Sequence, residues 1–193
     1  VRNEDEILAA ATRHLNKEPT ASMAEIAKAI GISRATLHRH YASREALVHR
    51  LGQRACAGWE RSQDEAGIVA ATASGDPAAL DRALRTLLRA FVVDADEYGF
   101  ALTDHFLNHL PELVEWGERL EAREVAFYTA CQRAGVLRAD LPPRWVSNVV
   151  YGLSIAVRES LRHGDVARRD IDELLISTFL SGAGARPETG GSP

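Results

Sequence analysis

Cysteine is scarce in this chain. Cys56 and Cys131 are its two, and they form neither a CxxC pair nor a zinc-binding spacing. That argues against a disulfide framework or a structural zinc site, and two buried or semi-buried thiols in a reducing compartment are expected. No stretch approaches the roughly 18 uninterrupted apolar residues that a membrane span requires, so no membrane partner is expected. No secretory leader is expected either, which makes the cytoplasm the expected location. There is no nucleophile elbow, no phosphate-cradling glycine loop and no HExxH, so neither an enzyme nor a cofactor is expected. No repeat of fixed period points to a solenoid. No segment reads as a strand. Only Arg2 precedes the first helix as a basic residue, which leaves little arm for a minor groove.

Acidic residues outnumber basic ones, 27 to 23, for a formal net charge of −4. That balance is wrong for a nucleic-acid protein until the chain is divided. Residues 1–50 hold eight Lys/Arg against six Asp/Glu and four of the seven His, whereas residues 51–193 hold fifteen against twenty-one. The sign changes from mildly basic to acidic, the pattern of a small reading head on a larger body. A surplus of two charges is modest, so any nucleic-acid affinity must come from where the charges are placed.

What is present is helix. Residues 4–16 carry Ile7, Leu8, Ala11 and Leu15 as one apolar stripe, with Glu4, Asp5 and Glu6 suited to a helix start. Ser22 and Glu25 form a capping box for a second helix with Ile26, Ala27 and Ile30 on its inner side. Gly31 can take positive φ and stop that helix within one residue, and Ser33 can cap the next. Helix, glycine turn, helix is the layout of a DNA-binding helix-turn-helix. Spaced at about 100° per residue, Leu37 and Tyr41 of the second helix fall on the side that packs inward. Ala35, Thr36, His38 and Arg39 fall on the other side, flanked by Arg34 and His40. Small, hydroxyl, imidazole and guanidinium groups on one face are what base edges and phosphates accept.

The run EIAKAIGISRATLHRHYASREAL resembles the N-terminal signature of the tetracycline-repressor (TetR) family of transcriptional regulators. The corresponding residues are Ile26-Ala27, Gly31-Ile32-Ser33, Thr36-Leu37-His38-Arg39-His40-Tyr41 and Ser43-Arg44-Glu45-Ala46-Leu47. His38 stands where the family usually has Tyr, Tyr41 where it has a core Phe, and Arg44 where it has Lys. The resemblance, together with the face just described, implies DNA contacts from Ser22, Ser33, Arg34, Ala35, Thr36, His38, Arg39, His40, Tyr41 and Arg44. Arg44 is expected on phosphate, and the charge of His38 would vary near neutral pH. Ser22 is expected to cap its helix and is also able to offer its hydroxyl or N–H to phosphate.

Beyond the motif, Ser43 caps a long helix to about Glu65, the mechanical link from head to body. Residues 66–76 are small and glycine-containing and read as a loop. Further helices are expected from Asp76-Pro77 to about Ala95, over 97–109, from Pro111 to about Ala134, over 142–163, and from about Asp170 to Leu180. The expected architecture is thus all-α, about nine helices. It divides into a helix-turn-helix head (1–50), a ligand-binding and dimerisation body (51–181) and a disordered tail (182–193).

Helix 142–163 is apolar on more than one face, with Trp145, Val146, Val149, Val150, Leu153, Ile155, Ala156 and Val157. Leu174, Leu175, Ile176, Phe179 and Leu180 follow on the last helix, and the two helices together suit a four-helix interface with a second copy. The resemblance likewise implies a homodimer through the last two helices and a small-molecule pocket in the body. Trp59, Phe91, Phe106, His109, Trp116, Tyr128 and Tyr151 are the candidate lining, which implies an apolar or aromatic effector. His105 and His109 stand four residues apart, a spacing that can hold a metal, yet no third ligand is identifiable, so no metal is expected. The leading reading is a repressor released from a palindromic double-stranded DNA operator by a small molecule. The alternative is a helical interaction protein whose motif does not bind DNA. A ligand-free regulator is a subcase, to be recognised by a closed, fully packed body.

Overall fold

The computed structural model describes residues 3–185. The expectations for Arg2 and for tail residues 186–193 lie outside that range. Among the described residues every regular element is helical, apart from one antiparallel bridge between Leu137 and Gly184. No helix there is long and apolar enough to cross a membrane.

Four helices build the first part: α1 (Glu4–Leu15), α2 (Met23–Ala29), α3 (Arg34–His40) and the beginning of α4 (Arg44–Glu65). Capping boxes start the first two, Asn3 with Glu6 and Ser22 with Glu25. Gly31, at φ 72°, ends α2. Its N–H donates to Lys28 O at 3.2 Å and that of Ile32 to Ala27 O at 3.0 Å, the paired bonds of a Schellman turn. This turn sets the angle at which α3 leaves α2. Ile7, Leu8, Leu15, Ile26, Leu37 and Leu47 fill the core between the helices. Leu37 is fully buried, so α3 is pinned by one side chain whose truncation would cost about 2–5 kcal/mol.

The second part comprises α5 (Ile68–Ser74), α6 (Pro77–Tyr98), α7 (Pro111–Arg133), α8 (Pro143–His163) and α9 (Ile171–Ala183). Its core is built on Leu80, Leu84, Leu87, Phe127, Val146 and Phe179. Residues 66–76 are a helix and not the expected loop. Gly67 and Gly75, both left-handed, bound α5 and let it turn at either end, while Ile68 and Ala71 insert into the core. Alanines in ATA and IVAA favour helix, and burial outweighs the short length.

The expected helix over 97–109 does not form. α6 continues three residues past Ala95, and two short 3-10 helices follow, Gly99–Leu102 and Leu107–His109. The break has a long-range cause. Asn16, just past α1, donates through Nδ2 to Asp96 O at 2.8 Å and Glu97 O at 2.9 Å, and its Oδ1 accepts from Phe100 N at 2.9 Å. Those carbonyls would otherwise serve the next turn of helix. Arg158 of α8 adds a bond to Gly99 O at 2.8 Å. α9 runs past Leu180 to Ala183, and Gly184 N bonds Leu180 O, so the first residues of the expected tail are ordered.

Head and body meet where Phe100, Leu107 and Leu113 enter the head core. Across the same seam His49 of α4 contacts Glu112 at the start of α7, and Gln53 Nε2 donates to Glu112 at 3.3 Å. The α4 helix therefore belongs to both cores.

Candidate nucleic-acid interface and effector cavity

The outward side of α3 is open. Arg34, Ala35, Arg39 and His40 are exposed, and Thr36 and His38 are half-buried. Ser33 caps the helix, its Oγ accepting from Thr36 N at 3.0 Å and lying 2.8 Å from the Thr36 hydroxyl. Arg34 Nε donates to His38 Nε2 at 3.3 Å, which orients both side chains along one edge of the helix. Among the described residues nothing holds the guanidinium of the exposed Arg39 by hydrogen bond or ion pair, so its five donors are uncommitted. The helix is seven residues long, about 10 Å at 1.5 Å per residue, and fits a major groove about 12 Å wide.

Two expected contacts have other duties. Tyr41 is 6 % exposed, and its hydroxyl donates to Glu4 Oε1 at 3.3 Å. Burial, with Glu4 beside it, pushes the phenol up to about 12. Tyr41 is thus the core anchor that its angle implied and not a surface contact. Arg44 turns back onto the chain, donating from Nε to Ala21 O at 3.0 Å and from a terminal nitrogen to Pro19 O at 2.6 Å. It staples the loop before α2 instead of reaching toward phosphate. Ser22 is similarly occupied: its Oγ and N–H both bond Glu25 Oε2, at 2.7 and 2.8 Å, so its capping role is the one realised. That pair of donors holds the Glu25 carboxyl below its usual range.

The body contains a cavity of about 460 Å³ between α4, α6, α7 and α8. Trp59, Phe91, Tyr98 and Tyr151 give it aromatic wall, and Glu124, Asp94, Ser147 and Ser154 are among its polar groups. Glu124 is 3 % exposed. Its carboxylate accepts from Trp59 Nε1, from Gln63 Nε2 at 2.9 Å and from the Tyr128 hydroxyl at 3.3 Å. Burial outweighs these donors and raises it to about 7. Asp94 accepts from Ser62 Oγ at 2.7 Å and is raised by burial to about 6. Tyr151 closes one side, its hydroxyl bonded to Leu102 O. The body is therefore not closed and fully packed, which removes the observation by which a ligand-free regulator would be recognised.

Residues 7–51 match the family model described as bacterial regulatory proteins of the tetR family. Over 188 residues the chain is 28 % identical to the HTH-type transcriptional repressor LfrR of Mycolicibacterium smegmatis, covering 97 % of this chain and 94 % of LfrR. It is 24 % identical over 186 residues to the HTH-type transcriptional regulator NfxB of Pseudomonas aeruginosa, covering 95 % of each. The solved structure of LfrR in complex with proflavine superposes with a TM-score of 0.70 at 26 % identity, covering 92 % of this chain and 94 % of that one. The ketosteroid regulator KstR2 of Mycobacterium tuberculosis, at 18 % identity, shares the fold with a TM-score of 0.74 over 96 % of this chain and 97 % of its own.

The head matches the tetR-family model, and nearly the whole chain is similar to TetR-type regulators. The curated relatives, matched over nearly their whole length, are transcriptional regulators, and the reading as a helical interaction module gives way to that of a DNA-binding regulator. In the body, three of the seven expected lining residues do border the cavity: Trp59, Phe91 and Tyr151. Four do not. Phe106 and Trp116 pack against the head core. His109 is exposed at the end of a 3-10 turn. Tyr128 is wholly buried behind the wall and reaches the cavity only through Glu124. His105 and His109 share no helix, so their spacing has no metal-binding geometry behind it. Glu124, Asp94 and Gln63 were missed. An acid on an amphipathic helix reads as a solvated one, and nothing nearby in sequence marks these as inward-facing.

Proposed function

We propose that this TetR-like regulator is a homodimeric repressor that grips a palindromic operator through α3 and releases it when an apolar or aromatic small molecule fills the body cavity. We place the boundary between DNA-binding head and effector-binding body at about residue 50, inside α4. The observation that carries the reading is a single helix with two ends. The near end of α4 sits on the recognition motif and its far part walls the cavity through Gly52, Cys56 and Trp59. A ligand that favours one tilt of α4 then biases the head by its differential affinity for the two arrangements. Proflavine, the planar aromatic ligand of the related LfrR complex, gives the effector class a precedent.

DNA contact is assigned to Arg34, Ala35, Thr36, His38, Arg39 and His40, with Ser33 as the cap that presents them. The dimer is assigned to α8 and α9, where Trp145, Tyr151 and Leu174 stay about half exposed in the single chain. Two copies would set two α3 helices about 34–36 Å apart, one DNA turn. The test is a gel-shift of the purified protein against its own upstream region, with and without planar aromatic compounds. A discrete complex that dissolves with compound supports the reading. A protein that binds no specific duplex, or one that holds its operator whatever fills the cavity, overturns it.

A further inference from the structure

We propose that the effector of this cavity is a lipophilic organic cation, with Glu124 as its buried counter-ion and Asp94 as a second. The proposal rests on the reading of the cavity as the effector site and names the chemistry of what enters it.

The argument begins with the sign of the lining. Three carboxyl groups border the cavity, Asp94, Glu121 and Glu124, and no Lys, Arg or His does. Two of the three have positive charge at hand: Glu121 lies 3.7 Å from Arg144, and Arg61 acts on Asp94. Glu124 has none. Trp59, Gln63 and Tyr128, its three hydrogen-bond donors, are neutral. An ionised carboxylate in such a place lacks the partner that makes buried charge tolerable. A ligand cation would supply it. An anion would meet three acids.

The walls narrow the class further. Trp59, Phe91, Tyr98 and Tyr151 line the cavity, and aromatic rings attract a cation that lies over their faces through the quadrupole. Among the described residues no cluster of three or more Asp, Glu, His or Cys is placed to hold a metal ion, so the acids of the lining are spaced for an organic cation and not an inorganic one. The volume of about 460 Å³ suits a few fused rings. Charge, aromatic lining and size therefore point to an organic cation of a few rings.

The groups facing Glu124 also set a pH dependence. From α4 come Cys56, Trp59 and Gln63, from α6 Asp94 and Tyr98, and from α7 Glu121 and Tyr128. Arg144 of α8 lies behind Glu121, and α5 brings no titratable group. Burial raises the Cys56 thiol and both tyrosines, so they stay neutral through the range that matters. Glu124, raised to about 7, is partly protonated near neutrality. A cation seated beside it favours the ionised form, so binding releases that proton to water. Affinity then rises with pH up to about 7 and levels off above it, with a smaller step near 6 from Asp94.

The experiment uses one ring system in two charge states. At pH about 8 acridine is neutral, and N-methylacridinium is a cation at every pH. Both are titrated into the full chain by fluorescence, and the methylated cation is followed again from pH 5.5 to 8. The expected result is at least tenfold tighter binding of the cation at pH 8, with its affinity falling as pH drops below 7. Glu124→Gln should remove the preference and most of the slope, and Asp94→Asn only the lower part. Gln suits the site: its Oε1 accepts from Trp59 and Gln63 while its amide donates to the Tyr128 hydroxyl. If Glu124→Gln fails to fold, the wild-type slope and Asp94→Asn still decide. Equal affinity for the two compounds overturns the cation proposal and leaves the effector reading standing, as does a preference that survives Glu124→Gln. Failure of both to bind overturns the effector reading as well.

Discussion

Glu124 makes stability depend on pH in a direction opposite to that of a surface carboxylate. Its folded value is about 7 against an ordinary 4.5, so the folded state holds the proton more tightly than the unfolded one. The associated stabilisation is complete below about 4.5 and is lost as pH rises through 7. The range corresponds to roughly 3 kcal/mol. Urea unfolding should therefore find Glu124→Gln about as stable as the wild type at pH 5 and more stable at pH 8. A gap that shrinks with rising pH would contradict the assignment. The two arginines of the reading head make a second contrast. Arg39→Ala should weaken operator binding at least tenfold and lower the salt slope by about one, with melting unchanged. Arg44→Ala should lower the melting temperature first, since it removes two bonds from a charged donor to backbone carbonyls, together about 1–2 kcal/mol. Sequence could not separate these roles. The partners of Arg44 lie 23 and 25 residues away, and a motif carries no record of them.

Helices α1 to α4 and the caps of the last three were legible because each depends on neighbours within four residues: Ser22 with Glu25, Gly31 with Lys28, Ser33 with Thr36. The interval from 97 to 109 was not, because Asn16 caps α6 across 80 residues and ends a run whose composition would have carried on. The cavity lining was legible in part for the same reason. Large aromatics announce burial, but only the packing of α7 against α4 decides that Trp59 faces the void and Trp116 does not. The Asn16 latch joins α1 to the end of α6, where Asp94, Ala95 and Tyr98 border the cavity. Asn16→Ala should leave operator affinity in the absence of effector within a few-fold of wild type, while the effector-induced loss of binding shrinks by at least fivefold. Fluorescence anisotropy of labelled operator, titrated at several effector concentrations, measures both. An unchanged response would show that the latch positions the helices without coupling them.

The whole molecule carries its charge unevenly, with net positive charge in the first 50 residues and net negative charge beyond. That arrangement turns the head toward a polyanion and keeps the body away from it. Trp145 and Leu174, 56 % and 47 % exposed, are apolar groups with no partner in a single copy. Leu174→Glu should shift sedimentation equilibrium toward a monomer and weaken operator binding by at least a hundredfold, while the circular dichroism of the helices persists. A dimer that survives this change and Trp145→Glu would move the interface elsewhere.

One contact fixes how little movement such a pair requires. Gly58 of α4 lies flat against the ring of Tyr98, so close that an added Cβ would sit 2.6 Å from its edge. From there to Arg44 is fourteen residues of rigid helix, about 21 Å at 1.5 Å per residue. Swinging that rod by about 5° displaces its tip by nearly 2 Å, and in a twofold assembly by about 4 Å between tips, against a groove spacing of about 34–36 Å. A visitor thick enough to nudge one phenol sideways would put two fingertips out of step with the groove they were cut to fit.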